Sequence, residues 1–202
     1  MGQAAPIEFY FDFASPYGYL ASTQIDGLAA RHGRGVTWRP FVLGAAFKVT
    51  GLRALTEQPL RGPYAERDFA RSARLLGVPF RKPAIFPFFA LAASRAFYWL
   101  DGDLGGDERA RALAKAVYHA AFGEGRDVVP ASAVAGLALP LGIEGLERGI
   151  ELPATKARLR EVTDEALARG VFGSPFFFVD GEPFWGHDRL EHVERWLATG
   201  GW

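Results

Sequence analysis

The chain has 202 residues, 49% of them hydrophobic and 23% charged, a composition that supports one sizeable core and excludes disordered, collagen-like and fibrous classes. Its 23 Lys and Arg balance 23 Asp and Glu, so no net field draws it toward nucleic acid or an anionic membrane surface. Cysteine is absent, which removes disulfides, thiol nucleophiles, thiolate metal sites and dithiol redox chemistry carried by the chain itself.

The first residues run directly into strand-like sequence without the basic and apolar blocks of a secretory signal. No stretch reaches the roughly 18 apolar residues of a membrane span, so a cytoplasmic protein is expected. An aromatic-rich apolar run at residues 7–13 predicts a strand, and alternation at 36–41 predicts a second. Between them Ser15 is a good N-cap and Pro16 suits the first helical position. Tyr17, Leu20, Ala21, Ile25 and Leu28 follow at helical spacing, and Gly33 and Gly35 provide the stop.

Residues 42–63 mix Gly, Pro and polar side chains without sustained periodicity and predict an irregular loop. From 64 to 149 the pattern is helical, with segments at 65–76, 88–100 and 108–122, shorter pieces after Pro130 and at 143–148, and no convincing strand. The glycine-rich run at 102–106 follows a helical segment rather than a strand, so it reads as a turn and not a phosphate loop. A long amphipathic helix at 153–169 carries Leu159, Val162 and Ala166 on one face and stops at Gly170. Asp180-Gly181 between the apolar runs 176–179 and 182–185 predicts a tight hairpin. A last helix buries Leu190, Val193 and Trp196, and Asp188 with Glu191 reads as a capping-box variant at its start. The order βαβ, helices, αββα is that of an α/β thioredoxin-like fold, with a discontinuous domain of 1–44 and 150–202 around an inserted helical domain of 45–149.

This order puts the Ser15 hydroxyl at the start of the first helix, where unpaired N–H groups and a partial positive charge face outward. Two readings fit: a plain N-cap, or a donor that holds the sulfur of an exogenous thiol for attack. The stretch Asp12-Phe13-Ala14-Ser15-Pro16-Tyr17 resembles the Ser-Pro signature of the kappa-class glutathione transferases and their relatives, the 2-hydroxychromene-2-carboxylate isomerases. Gly173-Ser174-Pro175-Phe176 and Phe184-Trp185-Gly186-His187-Asp188-Arg189-Leu190 are similar to a second block of that family, and the resemblance extends over nearly the whole chain.

The resemblance implies a DsbA-like architecture, a bound glutathione whose cysteinyl sulfur meets Ser15, a cis Pro175, and a Ser174 backbone that takes the cysteinyl amide. Residues alone point instead to an ordinary trans bond before Pro175. The resemblance also places His187 and Asp188 at the glutamyl end of glutathione, where relatives commonly carry Ser-Asp. It places Arg61 where a Lys stands, able to grip a carboxylate, and Asp68 in a Tyr-x-x-x-Asp spacing. Asp68 reaches either a second subunit's ligand or a local base such as Arg67 or Arg71. Each of the others has a plainer alternative, Asp188 as a helix cap and Arg61 as an exposed surface charge.

Leu52 stands where relatives usually carry Asn, and Phe89 replaces another Asn, so the substrate pocket assigned to Tyr17, Phe47, Leu52 and Phe89 becomes more apolar. The implied activity is a glutathione-dependent isomerase or transferase acting on a small aromatic or apolar electrophile. The implied assembly is a homodimer, with no nucleic-acid or membrane partner. The rival is a non-catalytic binder of a hydrophobic ligand on the same fold. His32, His119 and His192 are scattered without metal-ligand spacing, and no metal site is expected.

Overall fold

The apolar run near the start of the sequence offers water almost nothing, and it becomes one of the two strands with neighbours on both sides. In a computed structural model of the protein, which describes residues 5–101 and 108–202, β1 (Ile7–Phe11) pairs in parallel with β2 (Val36–Pro40) and antiparallel with β3 (Phe176–Val179). β4 (Glu182–Trp185) pairs antiparallel with β3, which gives the order β2-β1-β3-β4. The Asp180-Gly181 hairpin forms as predicted, with Asp180 (φ 54°) and Gly181 (φ 91°) both left-handed.

The two faces of the sheet are built differently. On one, Phe9 and Phe11 stack 4.9 Å apart, Trp38 meets them edge-on at 5.1 and 5.3 Å, and Phe177 stacks on Phe9 at 5.3 Å. On the other, the Arg169 guanidinium lies 4.1 Å from the Phe178 ring centre and 5.6 Å from that of Tyr10. Arg169 donates to both carboxylate oxygens of Glu8 at 2.7 and 2.8 Å and to the Tyr10 hydroxyl at 2.8 Å. Those bonds, with Arg39 beside them, hold the Glu8 carboxyl below its ordinary range against the opposing effect of burial.

The helices are α1 (Pro16–Ser22), α2 (Ile25–Arg31), α3 (Leu43–Thr50), α4 (Arg61–Leu75), α5 (Leu91–Asp101), α6 (Glu108–Tyr118), α7 (Ala131–Ala138), α8 (Leu146–Gly149), α9 (Pro153–Ala168) and α10 (Leu190–Thr199). The architecture is the thioredoxin-like fold with a helical insertion. Phe11 meets Phe97 of α5 and Tyr118 of α6, and Tyr19 meets Phe122, so sheet and inserted helices share buried aromatic contacts.

Several boundaries depart from expectation. The single helix expected after Ser15 is two, because Ser22, Thr23 and Gln24 turn their side chains back onto the Tyr19 and Leu20 carbonyls (2.7 to 3.1 Å) and close the first helix. Residues 42–63 are not an irregular loop: they hold α3, which stops at left-handed Gly51, and a 3₁₀ turn over Leu55–Glu57. α4 begins at Arg61, four residues earlier than expected, and α5 at Leu91, three residues later. The helix of α6 widens into a π-turn over His119–Gly123, where the Glu124 N–H reaches the His119 carbonyl at 3.0 Å. The turn expected at 102–106 lies outside the described residues.

Candidate active site

Ser15 sits in extended backbone (φ −95°, ψ 113°) and caps α1, its Oγ accepting the Gly18 N–H at 3.0 Å. The same hydroxyl donates to the Ser174 carbonyl at 2.8 Å, across 159 residues of sequence. The capping reading is met. The proton that the thiol reading assigns to a sulfur rests here on Ser174, and one Oγ lone pair stays open. Because α1 ends at Ser22, the positive end at Ser15 comes from the N–H groups of a two-turn helix rather than from a long dipole. The Ser174–Pro175 bond is cis, the alternative that the resemblance implied, and Phe86–Pro87 is cis as well, which no sequence feature announced.

Asp12, three residues before Ser15, is the member of this corner that the sequence reading did not single out. Its Oδ1 accepts the Ala14 N–H and its Oδ2 the Leu43 N–H at the start of α3, both at 2.8 Å. Its own N–H donates to Ser174 Oγ at 2.9 Å, and its carbonyl accepts the Tyr118 hydroxyl at 2.9 Å and the Ser15 N–H at 2.9 Å. Burial raises the Asp12 carboxyl above its ordinary value although both N–H bonds pull it down. The one local signal was an acid directly after an apolar strand, two residues from an N–H that it can bond as an Asx-turn.

Gly18 completes the corner by what it lacks. A Cβ there would stand 2.4 Å from the Tyr118 hydroxyl and 3.1 Å from Ser174 Oγ, so only glycine lets α6 and the Ser174 loop close on α1.

Tyr17 points into a second cluster. Its ring stacks on His187 at 4.7 Å and 10°, meets Phe69 of α4 edge-on at 4.8 Å, and its hydroxyl donates to Asp68 Oδ2 at 2.5 Å. Burial, then the Asp68 bond, pushes the Tyr17 phenol far up, so it stays protonated. Asp68 also accepts from Arg71 Nε at 2.8 Å. Pairing with a local base, one of the two uses expected for Asp68, is formed within the chain. Burial lowers the His187 pKa more than nearby Asp188 and Asp68 raise it, leaving a neutral imidazole at pH 7.

The structure therefore joins Ser15, Ser174, Pro175, Tyr17, Asp68 and His187 through direct contacts or chain adjacency. Asp188 is exposed and pairs with Arg189 at 2.8 Å. The capping box expected there does not form: Arg189 occupies the N-cap of α10 without a side-chain bond, and a 3₁₀ turn over His187–Arg189 precedes it. Arg61 is the exposed first residue of α4 and bonds the Gln58 side chain at 3.3 Å. Phe47 is half-buried on α3, Leu52 is 46% exposed just beyond it, and Phe89 is 72% exposed. The Phe89 ring comes within 3.4 Å of where a Cβ on Gly44 would stand, so it lies against α3 as well.

Ser15 and Ser174 are themselves only 6% and 9% exposed. A charged depression of about 390 Å³ among Asp26, Arg34, Arg111 and Lys115, and an apolar notch of about 110 Å³ beside Ile85 and Phe88, both lie elsewhere. The buried hydrogen-bonded corner, not either of these hollows, is where the polar groups converge. Among the described residues no three His, Asp or Glu side chains form a group able to hold a metal ion, and no helix is long and apolar enough to cross a membrane.

A model of the DSBA-like thioredoxin domain matches residues 6–198. The 2-hydroxychromene-2-carboxylate isomerase of Sphingobium xenophagum is 31% identical over 195 residues, covering 95% of this chain and 97% of that one. Glutathione S-transferase kappa 2 of Caenorhabditis elegans is 26% identical over 205 residues, covering 95% and 91%. A solved structure of a 2-hydroxychromene-2-carboxylate isomerase superposes with a TM-score of 0.84 at 30% identity, covering 96% of this chain and 94% of that one.

Proposed function

The chain belongs to the DSBA-like thioredoxin domain family and, within it, to the enzymes that include the 2-hydroxychromene-2-carboxylate isomerases, and from that premise we propose that it is a glutathione-dependent isomerase or transferase. The observation that carries the proposal is the 2.8 Å bond between the Ser15 hydroxyl and the carbonyl before cis Pro175. It brings a donor at a helix start and a backbone acceptor to one point.

The donor set fits the tripeptide. The Ser174 carbonyl has a second lone pair for an amide N–H, Asp188 offers an exposed carboxylate for an α-amino group, and Arg61 an exposed guanidinium for a carboxylate. Bound there, glutathione would supply a thiolate for addition to an electrophilic carbon, with net isomerisation when the adduct is eliminated and net conjugation when it persists. The residues' own work is to hold and orient. Ser15 turns its proton from Ser174 toward the sulfur position, and the Gly18 N–H keeps Oγ in place. Tyr17, tied to Asp68, keeps its proton and acts as a wall. Phe47, Leu52 and Phe89 present an apolar side to a small aromatic or apolar electrophile.

Calorimetric titration with reduced glutathione beside its S-methyl derivative tests the reading. Binding weakened by S-methylation in the native protein, and insensitive to it in Ser15→Ala, supports it; absence of binding at millimolar glutathione overturns it. That second outcome favours a non-catalytic binder of a hydrophobic ligand, which the exposed Leu52 and Phe89 would suit. Exposed Leu60, Leu75 and Ile85 in the inserted segment would suit a homodimer, which sedimentation decides.

A further inference from the structure

Asp12 ties together four segments that are distant in sequence: the turn into α1 through Ala14, the start of α3 through Leu43, the Ser174 loop through Oγ, and α6 through Tyr118. Among the described residues no cation lies within ion-pair distance of it, so its charge is balanced by backbone N–H groups alone. A buried acid without a counter-ion is costly to the fold, which makes its place beside Ser15 informative.

The tie to α3 has the clearest consequence. Val42, at the N-cap of α3, makes no side-chain cap, and the acceptor for the first-turn Leu43 N–H is the Asp12 carboxylate from the end of β1. α3 carries Phe47, and Phe89 lies against its first turn at Gly44. The apolar wall assigned to the second substrate is therefore hung from the residue whose other oxygen fixes the chain just before Ser15.

We propose that Asp12 is a positioning residue that fixes α3, with Phe47 and Phe89, relative to the Ser15–Ser174 corner, so that electrophile and sulfur meet in one geometry. The proposal rests on the glutathione reading above for what is being positioned. The hold on α3 is independent of that reading. Replacing the carboxylate by an amide keeps its size and one acceptor but turns an NH₂ toward a backbone N–H, so either α3 or the Ser15 turn must give way.

Asp12→Asn is compared with the native protein by three measurements. Hydrogen exchange is expected to quicken about tenfold or more at the first-turn amides of α3 and not in α4 or α5, the signature of local opening rather than general loosening. Turnover of a chlorodinitrobenzene with glutathione should fall about 10- to 100-fold, as expected for a small misplacement of reacting groups. Glutathione affinity should stay within about threefold, since the Ser174 carbonyl and Ser15 remain.

Should Asp12→Asn fail to fold, Leu43→Pro removes only the N–H that Asp12 accepts at a first helical position that tolerates proline, and Leu43→Ala controls for the lost side chain. Slower turnover in Leu43→Pro than in Leu43→Ala, at unchanged glutathione affinity, supports the proposal. Unchanged α3 exchange, or a loss confined to glutathione affinity, overturns it. Failure of the glutathione reading shows separately, as a native protein that binds no glutathione.

Discussion

Two acids, one on β1 and one just past its end, show how differently this fold uses a carboxylate. Glu8 faces the side of β1 where Arg169 and Arg39 wait, and the bidentate pair holds its pKa down. Asp12, just past the same strand, has no such partner and is held by N–H groups while burial raises its pKa. The first arrangement locks the end of α9 onto the sheet and contributes to stability. The second costs stability and sets the relative placement of Ser15, Ser174 and α3. Stability and site geometry are thus assigned to opposite ends of β1.

The sharpest test of that division is Ser15→Ala. Turnover should fall at least about 100-fold, the scale of a lost transition-state donor, while stability falls by only about 1 kcal/mol for the missing cap. Chemical denaturation alongside kinetics separates the two, and a variant that loses both equally would erase the division. At the other end of β1, Arg169→Ala should cost about 2 kcal/mol, discounted from the buried-pair range because both groups are partly exposed, and leave glutathione affinity unmoved.

Gly18→Ala should cost about 1 to 3 kcal/mol by overpacking against Tyr118, although alanine favours helix. Tyr118→Phe in the same chain removes the clashing oxygen and should recover part of the loss, read from a double-mutant cycle.

The smallest effect is a pair of opposite pH slopes. Because the Glu8 pKa is lowered in the folded state, its contribution is present above the ordinary value of 4.5 and lost as pH falls through the folded value. Glu8→Gln should therefore destabilise most at neutral pH. The Asp12 pKa is raised, so its cost is absent below the ordinary value of 3.8, grows as pH rises above it and is complete once pH passes the folded value. The stability of Asp12→Asn relative to the native chain should accordingly improve with rising pH. Parallel slopes in melting experiments across pH 4 to 8 would mean that the two acids do not differ in this way.

What could be read in advance follows the reach of each interaction. The hairpin, α9 and the Ser15 cap are set by neighbours in sequence: Asp180-Gly181 dictates its own turn, and Ser15 with Pro16 its own helix start. α3 was missed because its cap is Asp12, 31 residues upstream. The division of α1 from α2 was missed because Ser22, Thr23 and Gln24 are ordinary residues in a helical pattern until all three bend back together. In the site, the motif residues Ser15, Tyr17, Ser174, Pro175, His187 and Asp68 come together. Arg61, Asp188 and Leu52 lie on exposed surface, where spacing along a chain says little about what a side chain meets. Tyr118 was invisible as a site residue because only the packing of α6 brings it under Gly18.

The central strand completes its pairing from both ends of the chain. β1 meets β2 early, but its other edge waits for β3, as in the Phe9 to Phe177 register. During synthesis on the ribosome, then, the backbone edge of β1 at Glu8, Phe9 and Tyr10 stays unpaired until residues 176–179 have emerged. A nascent chain stalled before residue 176 would present that edge as a template for other strands. Long-range closure of this kind slows folding in general, and the Ser15–Ser174 corner can form only once the Ser174 loop has closed on α1.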